Sequence, residues 1–164
     1  MATLIIYYSQ GGKTDLVAKT LARSLRASLV RIHDLKNREG FKNRLFASIN
    51  AFRENKTDII PAKVDISQYD TIIFGTPTWS GIPTPAILTI IDRCNLTGKD
   101  VMLFATMDSN RGETNIERLE EKVKMRGARV IESFTIATKD KSPEKLVNDT
   151  EAIIEMKDLK MYIR

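Results

Sequence analysis

The chain has 164 residues, 42% hydrophobic and 29% charged, with a net charge of +5. That length predicts one domain, 1–164, with a core large enough to need neither disulfides nor metals. Cys94 and His33 are the only residues of their kinds, which excludes an internal disulfide and His- or Cys-rich metal cages. No apolar run approaches a membrane span and nothing reads as a signal peptide, so a reducing cytoplasm is the expected setting and no membrane role is expected. Basic and acidic residues are interleaved, without a run of five like charges, and aromatic residues for base stacking are few. Nucleic acid is therefore not an expected partner.

The run Thr3-Leu4-Ile5-Ile6-Tyr7-Tyr8 is aliphatic, aromatic and β-branched, and predicts a buried strand. Val17, Ala18, Leu21, Ala22 and Leu25 recur at helical spacing, so a helix starts near Lys13 or Thr14. Between the two lies Ser9-Gln10-Gly11-Gly12-Lys13-Thr14, a small-residue loop feeding a helix N-terminus. Unpaired N–H groups and the positive end of the helix dipole favour a phosphate there. Gly11 and Gly12 allow close backbone approach, and Ser9 and Thr14 add hydroxyls. An ordinary strand-to-helix turn that needed glycines is the alternative. Two sharper motifs fail: a P-loop needs a glycine five residues before Gly12, where Tyr7 stands, and G-x-G-x-x-G is absent.

Residues 27–33 predict a second strand, with His33 at its end and no role assigned to it. Phe41, Leu45, Phe46, Ile49 and Phe52 fall at helical spacing with basic residues between, predicting an amphipathic helix that packs on the sheet or presents a partner face. Pro61 to Gln68 reads as a connector. Tyr69 to Gly75 is a near-continuously apolar third strand, as a central parallel strand should be. It leads into Thr76-Pro77-Thr78-Trp79-Ser80-Gly81, read as an irregular loop holding the only tryptophan. Trp79 either lids the core or forms a flat wall for a planar ligand. A short helix follows over Ala86 to Asp92. Lys99 to Ala105 is a fourth strand, followed by Thr106-Met107-Asp108-Ser109-Asn110-Arg111-Gly112 and a helix with Ile116, Leu119 and Val123 inward, closing at Gly127. Arg129 to Ala137 is a fifth strand, and Ser142-Pro143 starts a last helix.

Five strands alternating with five helices predict an α/β domain with a doubly wound five-stranded parallel sheet. Ligands of such sheets bind beyond the carboxyl ends of the strands, where strand order reverses. The loops after the first, third and fourth strands all emerge there, and one ligand spanning them accounts for all three.

These motifs resemble a flavodoxin. Ser9-Gln10-Gly11-Gly12-Lys13-Thr14 is similar to the family's phosphate loop, often S/T-x-T-G-x-T. Tyr69-Asp70 and Gly75 through Gly81 are similar to its tyrosine–aspartate strand and G-T-P-x-W-x-G loop. The block from Asp34 to Phe41, with Pro61 and Val64-Asp65, resembles a microbial branch of the family. Flavodoxins are the type example of strand order 2-1-3-4-5 with FMN at the switch point, so the resemblance implies that flavodoxin-like order. It also implies non-covalent FMN, its phosphate held by the loop of Ser9, Gln10, Gly11, Gly12, Lys13 and Thr14. Trp79 would stack on the isoalloxazine. Thr76, Pro77, Thr78, Ser80 and Gly81, with Thr106, Met107, Asp108, Ser109, Asn110, Arg111 and Gly112, would line its edges.

Three positions depart from the pattern. Gly11 replaces the usual threonine, Lys13 replaces a commonly neutral residue, and the third loop lacks a glycine pair. Asp108 and Asn110 are expected to take any positive φ needed there. The implied function is electron transfer between redox protein partners, acidic ones by charge complementarity. An NAD(P)H- or quinone-dependent FMN reductase and a flavin-less binding module are the alternatives. No Ser-His-Asp, Cys-His or paired-carboxylate pattern suggests a catalytic side chain.

Overall fold

The computed structural model describes residues 2–36 and 57–163. The amphipathic helix expected around Phe41 to Phe52 lies outside the described residues. In chain order the elements are strand β1 (Thr3–Tyr8), helix α1 (Lys13–Leu25), β2 (Ser28–Asp34), β3 (Ile59–Ile60), β4 (Thr71–Pro77) and α2 (Pro85–Asp92). There follow β5 (Asp100–Met107), α3 (Gly112–Met125), β6 (Arg129–Ala137), α4 (Pro143–Met156) and a 3-10 turn (Leu159–Ile163).

The sheet order is β3-β2-β1-β4-β5-β6. From β2 to β6 every pairing is parallel, which is the predicted 2-1-3-4-5 order under new numbers. Among the described residues the sheet nevertheless has six strands, not five. β3 is a two-residue edge strand, antiparallel to β2 through His33 with Ile60 and Asp34 with Ile59. Its two residues are too few to show alternation, and Ile59 is buried while Ile60 is 54% exposed.

Successive β1 side chains go to opposite faces, and both faces are covered. Leu4, Ile6 and Tyr8 join the apolar cluster that holds Ile87, Ile90 and Ile91 of α2 and Leu119 and Val123 of α3. Ile5 and Tyr7 join the other cluster, with Val17, Ala18 and Leu21 of α1 and Leu146 and Ile154 of α4. This double covering explains why the central strands read as continuous apolar runs. At the α4 start, the Ser142 hydroxyl accepts from Lys145 N–H at 3.1 Å ahead of Pro143, the predicted cap.

Gly75, which belongs to the recognised loop motif, is a packing residue. It lies beside Phe104 in the sheet, and a Cβ on it would come within 2.0 Å of the Phe104 ring. That ring stacks on Phe134 of the next strand, centroids 5.7 Å apart and planes 12° from parallel. The missing side chain on β4 lets the β5 aromatic lie across it. We expect Gly75→Ala to lower stability by about 1–3 kcal/mol through overpacking. Urea unfolding checks this, and an unchanged midpoint would mean the ring can swing aside.

Candidate functional site

The chain emerges from β1, β4 and β5 at the same sheet edge, and β1 lies where the strand order reverses. A cavity of about 260 Å³ opens there. Its walls are Gln10, Gly11, Lys13 and Thr14 after β1, Pro77, Thr78 and Trp79 at the end of β4, and Thr106, Met107 and Asp108 at the end of β5. All three predicted loops therefore meet at one place. Thr138, just past β6, completes the lining, and sequence reading did not single it out.

The first loop is shaped by its own hydroxyl. Ser9 Oγ accepts from the amides of Gly12 at 3.2 Å and Asp15 at 3.1 Å, so Ser9 is buried and does not line the cavity. Gly12 has φ +92°, the left-handed conformation that favours glycine, and caps α1 without a side chain. Among the first three amides of α1, only that of Asp15 has a partner among the described residues, which leaves those of Lys13 and Thr14. Apart from chain neighbours, no atom of the described residues lies within 4 Å of where a Cβ on Gly11 or Gly12 would stand, so the backbone there is open to a ligand. Lys13 donates to the Thr138 carbonyl at 3.2 Å, bridging the cavity from α1 to the end of β6 with further N–H groups to spare. Thr14 Oγ1 and Thr106 Oγ1 share a buried hydrogen bond of 2.7 Å that ties the first loop to the third.

The second loop is a tight turn where the sequence suggested irregularity. Trp79 and Ile82 exchange two backbone hydrogen bonds of 3.1 Å, with positive φ at both Ser80 (52°) and Gly81 (80°) between them. Ser80 and Gly81 therefore make the turn and do not line the cavity. Thr76 is fully buried beneath it, its hydroxyl paired with Thr84 Oγ1 at 3.0 Å. Trp79 meets Tyr8 edge-to-face at 5.8 Å and belongs to the α2/α3-side core cluster.

In the third loop the positive φ falls on Arg111 (67°), the residue before α3, and not on Asp108 or Asn110 as expected. The helix start fixes the position of the left-handed residue, one place before Gly112. Gly112 itself is needed for close packing, since a Cβ there would come within 2.6 Å of Met107 Sδ. Ser109 and Asn110 are exposed outside the cavity, as is Arg111. A Cβ on Gly81 would lie 3.5 Å from Arg111 Cδ, so the second and third loops touch.

Asn115 is a further residue of the site's frame. It is fully buried on α3 and donates to the Pro77 carbonyl at 3.2 Å and Thr78 Oγ1 at 2.9 Å, holding the second loop to the helix that follows the third. The available signal was its place one turn before Leu119, a polar residue on the inward stripe. Cys94 is buried in the core, and burial pushes its thiol up to about 11, which makes it unreactive.

A family model described as Flavodoxin matches residues 2–153. The chain belongs to the flavodoxin family. A flavoprotein of Lactobacillus acidophilus NCFM, solved in complex with FMN, is similar at 25% identity and TM-score 0.72, over 82% of this flavodoxin and 92% of that chain. A putative flavoprotein of Bacteroides eggerthii shares the fold at 20% identity and TM-score 0.74, over 94% of this chain and 96% of that one. Oxidised flavodoxin 2 of Bacillus cereus shares it at 22% identity and TM-score 0.57, over 95% and 99%. No curated protein matches by sequence. Among the described residues of this flavodoxin, no helix is long and apolar enough to cross a membrane.

Proposed function

We propose that this flavodoxin binds FMN without a covalent bond at the switch-point cavity and carries electrons between protein partners. The observation that carries the reading is the opening at Gly11 and Gly12. The unpartnered Lys13 and Thr14 amides, the Lys13 ammonium and the Thr14 hydroxyl converge on it, while the space a side chain would fill is left open. That donor set suits a phosphate dianion. The FMN complex of the Lactobacillus protein supports the same ligand.

When bound, FMN supplies the redox chemistry, and the protein tunes it through nearby charge and hydrogen bonds. In this chain Lys13, Thr14 and the loop amides bind the phosphate end. Trp79, Pro77 and Thr78 give one wall, and Thr106, Met107 and Asp108 another. The Thr14–Thr106 bond and the Asn115 bonds keep those walls at fixed spacing. No side chain is asked to act as nucleophile or acid. The net charge of +5 favours partners with acidic docking faces, in a cytoplasmic setting.

Titration of the purified protein with FMN, riboflavin and FAD, read by flavin fluorescence, tests the proposal. We expect one FMN per chain and much weaker riboflavin binding. A protein that stays colourless with excess FMN would remove the reading.

A further inference from the structure

We propose that Arg31 is a positioning residue for the phosphate loop and thereby sets the preference for a phosphorylated flavin; the inference rests on the FMN reading above. Arg31 lies on β2 directly beside Tyr7 of β1, so both side chains project to the α1 face of the sheet. Its Nη2 donates to the Ser9 carbonyl at 3.0 Å and its Nη1 reaches Asp15 Oδ1 at 3.5 Å. Asp15 in turn accepts from the buried Tyr7 hydroxyl and pairs with Lys19 at 2.8 Å. Burial works to raise the Asp15 carboxyl, but Lys19, Tyr7 and Arg31 outweigh it and hold the group below the usual carboxylate range.

Ser9 is thus gripped at both ends of its polar surface. Its hydroxyl takes the Gly12 and Asp15 amides from above, and its carbonyl takes Arg31 from below. The peptide between Ser9 and Gln10 cannot rotate while those bonds last. Two residues later the chain must enter the left-handed conformation of Gly12, after which the Lys13 and Thr14 amides have no partner among the described residues. Arg31 itself is absent from the cavity lining. An ordinary exposed ion pair would contribute little. Here one arm of a partly buried guanidinium goes to a backbone carbonyl at the exact turn of strand into loop, and its Nε is buried without any partner. A planar fork can hold a carbonyl and a carboxylate at once, whereas an ammonium on a flexible stem holds a point.

The test compares the protein with Arg31→Lys and Arg31→Met, each titrated with FMN and with riboflavin, after melting curves establish that the variants fold. A hydrogen bond from a charged donor is lost in both, so FMN affinity should fall by about tenfold or more in each. Riboflavin, which has no phosphate for the loop to hold, should bind the variants as it binds the parent. Wild-type FMN affinity in Arg31→Lys would mean that positive charge alone suffices, and overturns the positioning role. Equal loss for FMN and riboflavin would make Arg31 a general structural residue, and also overturns it. A parent protein that binds both flavins equally defeats the phosphate reading itself, whatever the variants do.

Discussion

Gly12→Val is expected to give a folded protein whose FMN affinity has fallen by about 100-fold or more. Two costs combine. The left-handed conformation costs an ordinary residue roughly 1–2 kcal/mol, and a β-branched residue is among the least tolerant. The Gly12 φ of +92° places this substitution within that penalty. The loop can relieve it only by moving away from the conformation in which the Lys13 and Thr14 amides point outward. Each charge-assisted hydrogen bond then lost from the phosphate is worth about 1.5–3 kcal/mol, and tenfold in affinity is about 1.4 kcal/mol. Apart from chain neighbours, a Cβ on Gly12 meets no atom of the described residues within 4 Å, so its own contacts add no cost to the backbone strain. Calorimetric titration with FMN measures the loss, and a melting curve establishes the fold. Gly11→Ala is the useful control: its position has equally open space and no positive φ, so a smaller loss is expected. Equal FMN affinity in Gly12→Val and the parent would place the phosphate elsewhere.

The parts of this site that were legible in the sequence share a cause. Strand β1, the glycines after it and the apolar stripe of α1 each carry a local periodicity or a backbone demand, and those survive in one dimension. The start of α1, expected near Lys13 or Thr14 and found at Lys13, and Arg129–Ala137 as β6 were readable for the same reason. What was not legible depends on partners distant in sequence. The Lys13 ammonium meets the carbonyl of a residue 125 positions away, and Thr14 meets Thr106. Asn115 looks like one polar residue on a helix until Pro77 and Thr78 are brought against it. Gly75 looked like part of a ligand loop because its motif continues into Trp79, yet its demand comes from the Phe104 ring on the neighbouring strand. The third loop misled in a different way. Residue preference pointed to Asp108 and Asn110 for the left-handed position, but where the helix begins decides which residue must take it, and Arg111 stands there.

Trp79→Ala is expected to lower the stability of the flavin-free protein by about 3–5 kcal/mol, the usual cost of emptying an aromatic core site. The sequence left two roles open for this ring, core lid or ligand wall, and the geometry gives it a share in both. Only 8% of the residue is exposed, its ring meets Tyr8 at 89°, and Ile82 and Ala86 pack in the same cluster. Yet it also lines the cavity. The magnitudes rank the two roles. Packing lost with the whole side chain exceeds the roughly 0.5–1.5 kcal/mol that aromatic stacking adds beyond buried area. For a chain of this size the stability loss amounts to a melting temperature lower by on the order of 10 °C. Trp79→Leu separates the roles, because it keeps most of the buried bulk and removes the π face. Oxidised flavin is neutral and electron-poor and gains from that face, whereas added negative charge on reduction is disfavoured against it. Losing about 1 kcal/mol from the oxidised form alone raises a one-electron midpoint by roughly 40 mV, at about 59 mV per tenfold change. Denaturant unfolding of Trp79→Ala without flavin and spectroelectrochemistry of Trp79→Leu with FMN make the two measurements. A flavin-free Trp79→Ala as stable as the parent would remove the ring from the core, and a Trp79→Leu midpoint that does not move would remove it from the flavin.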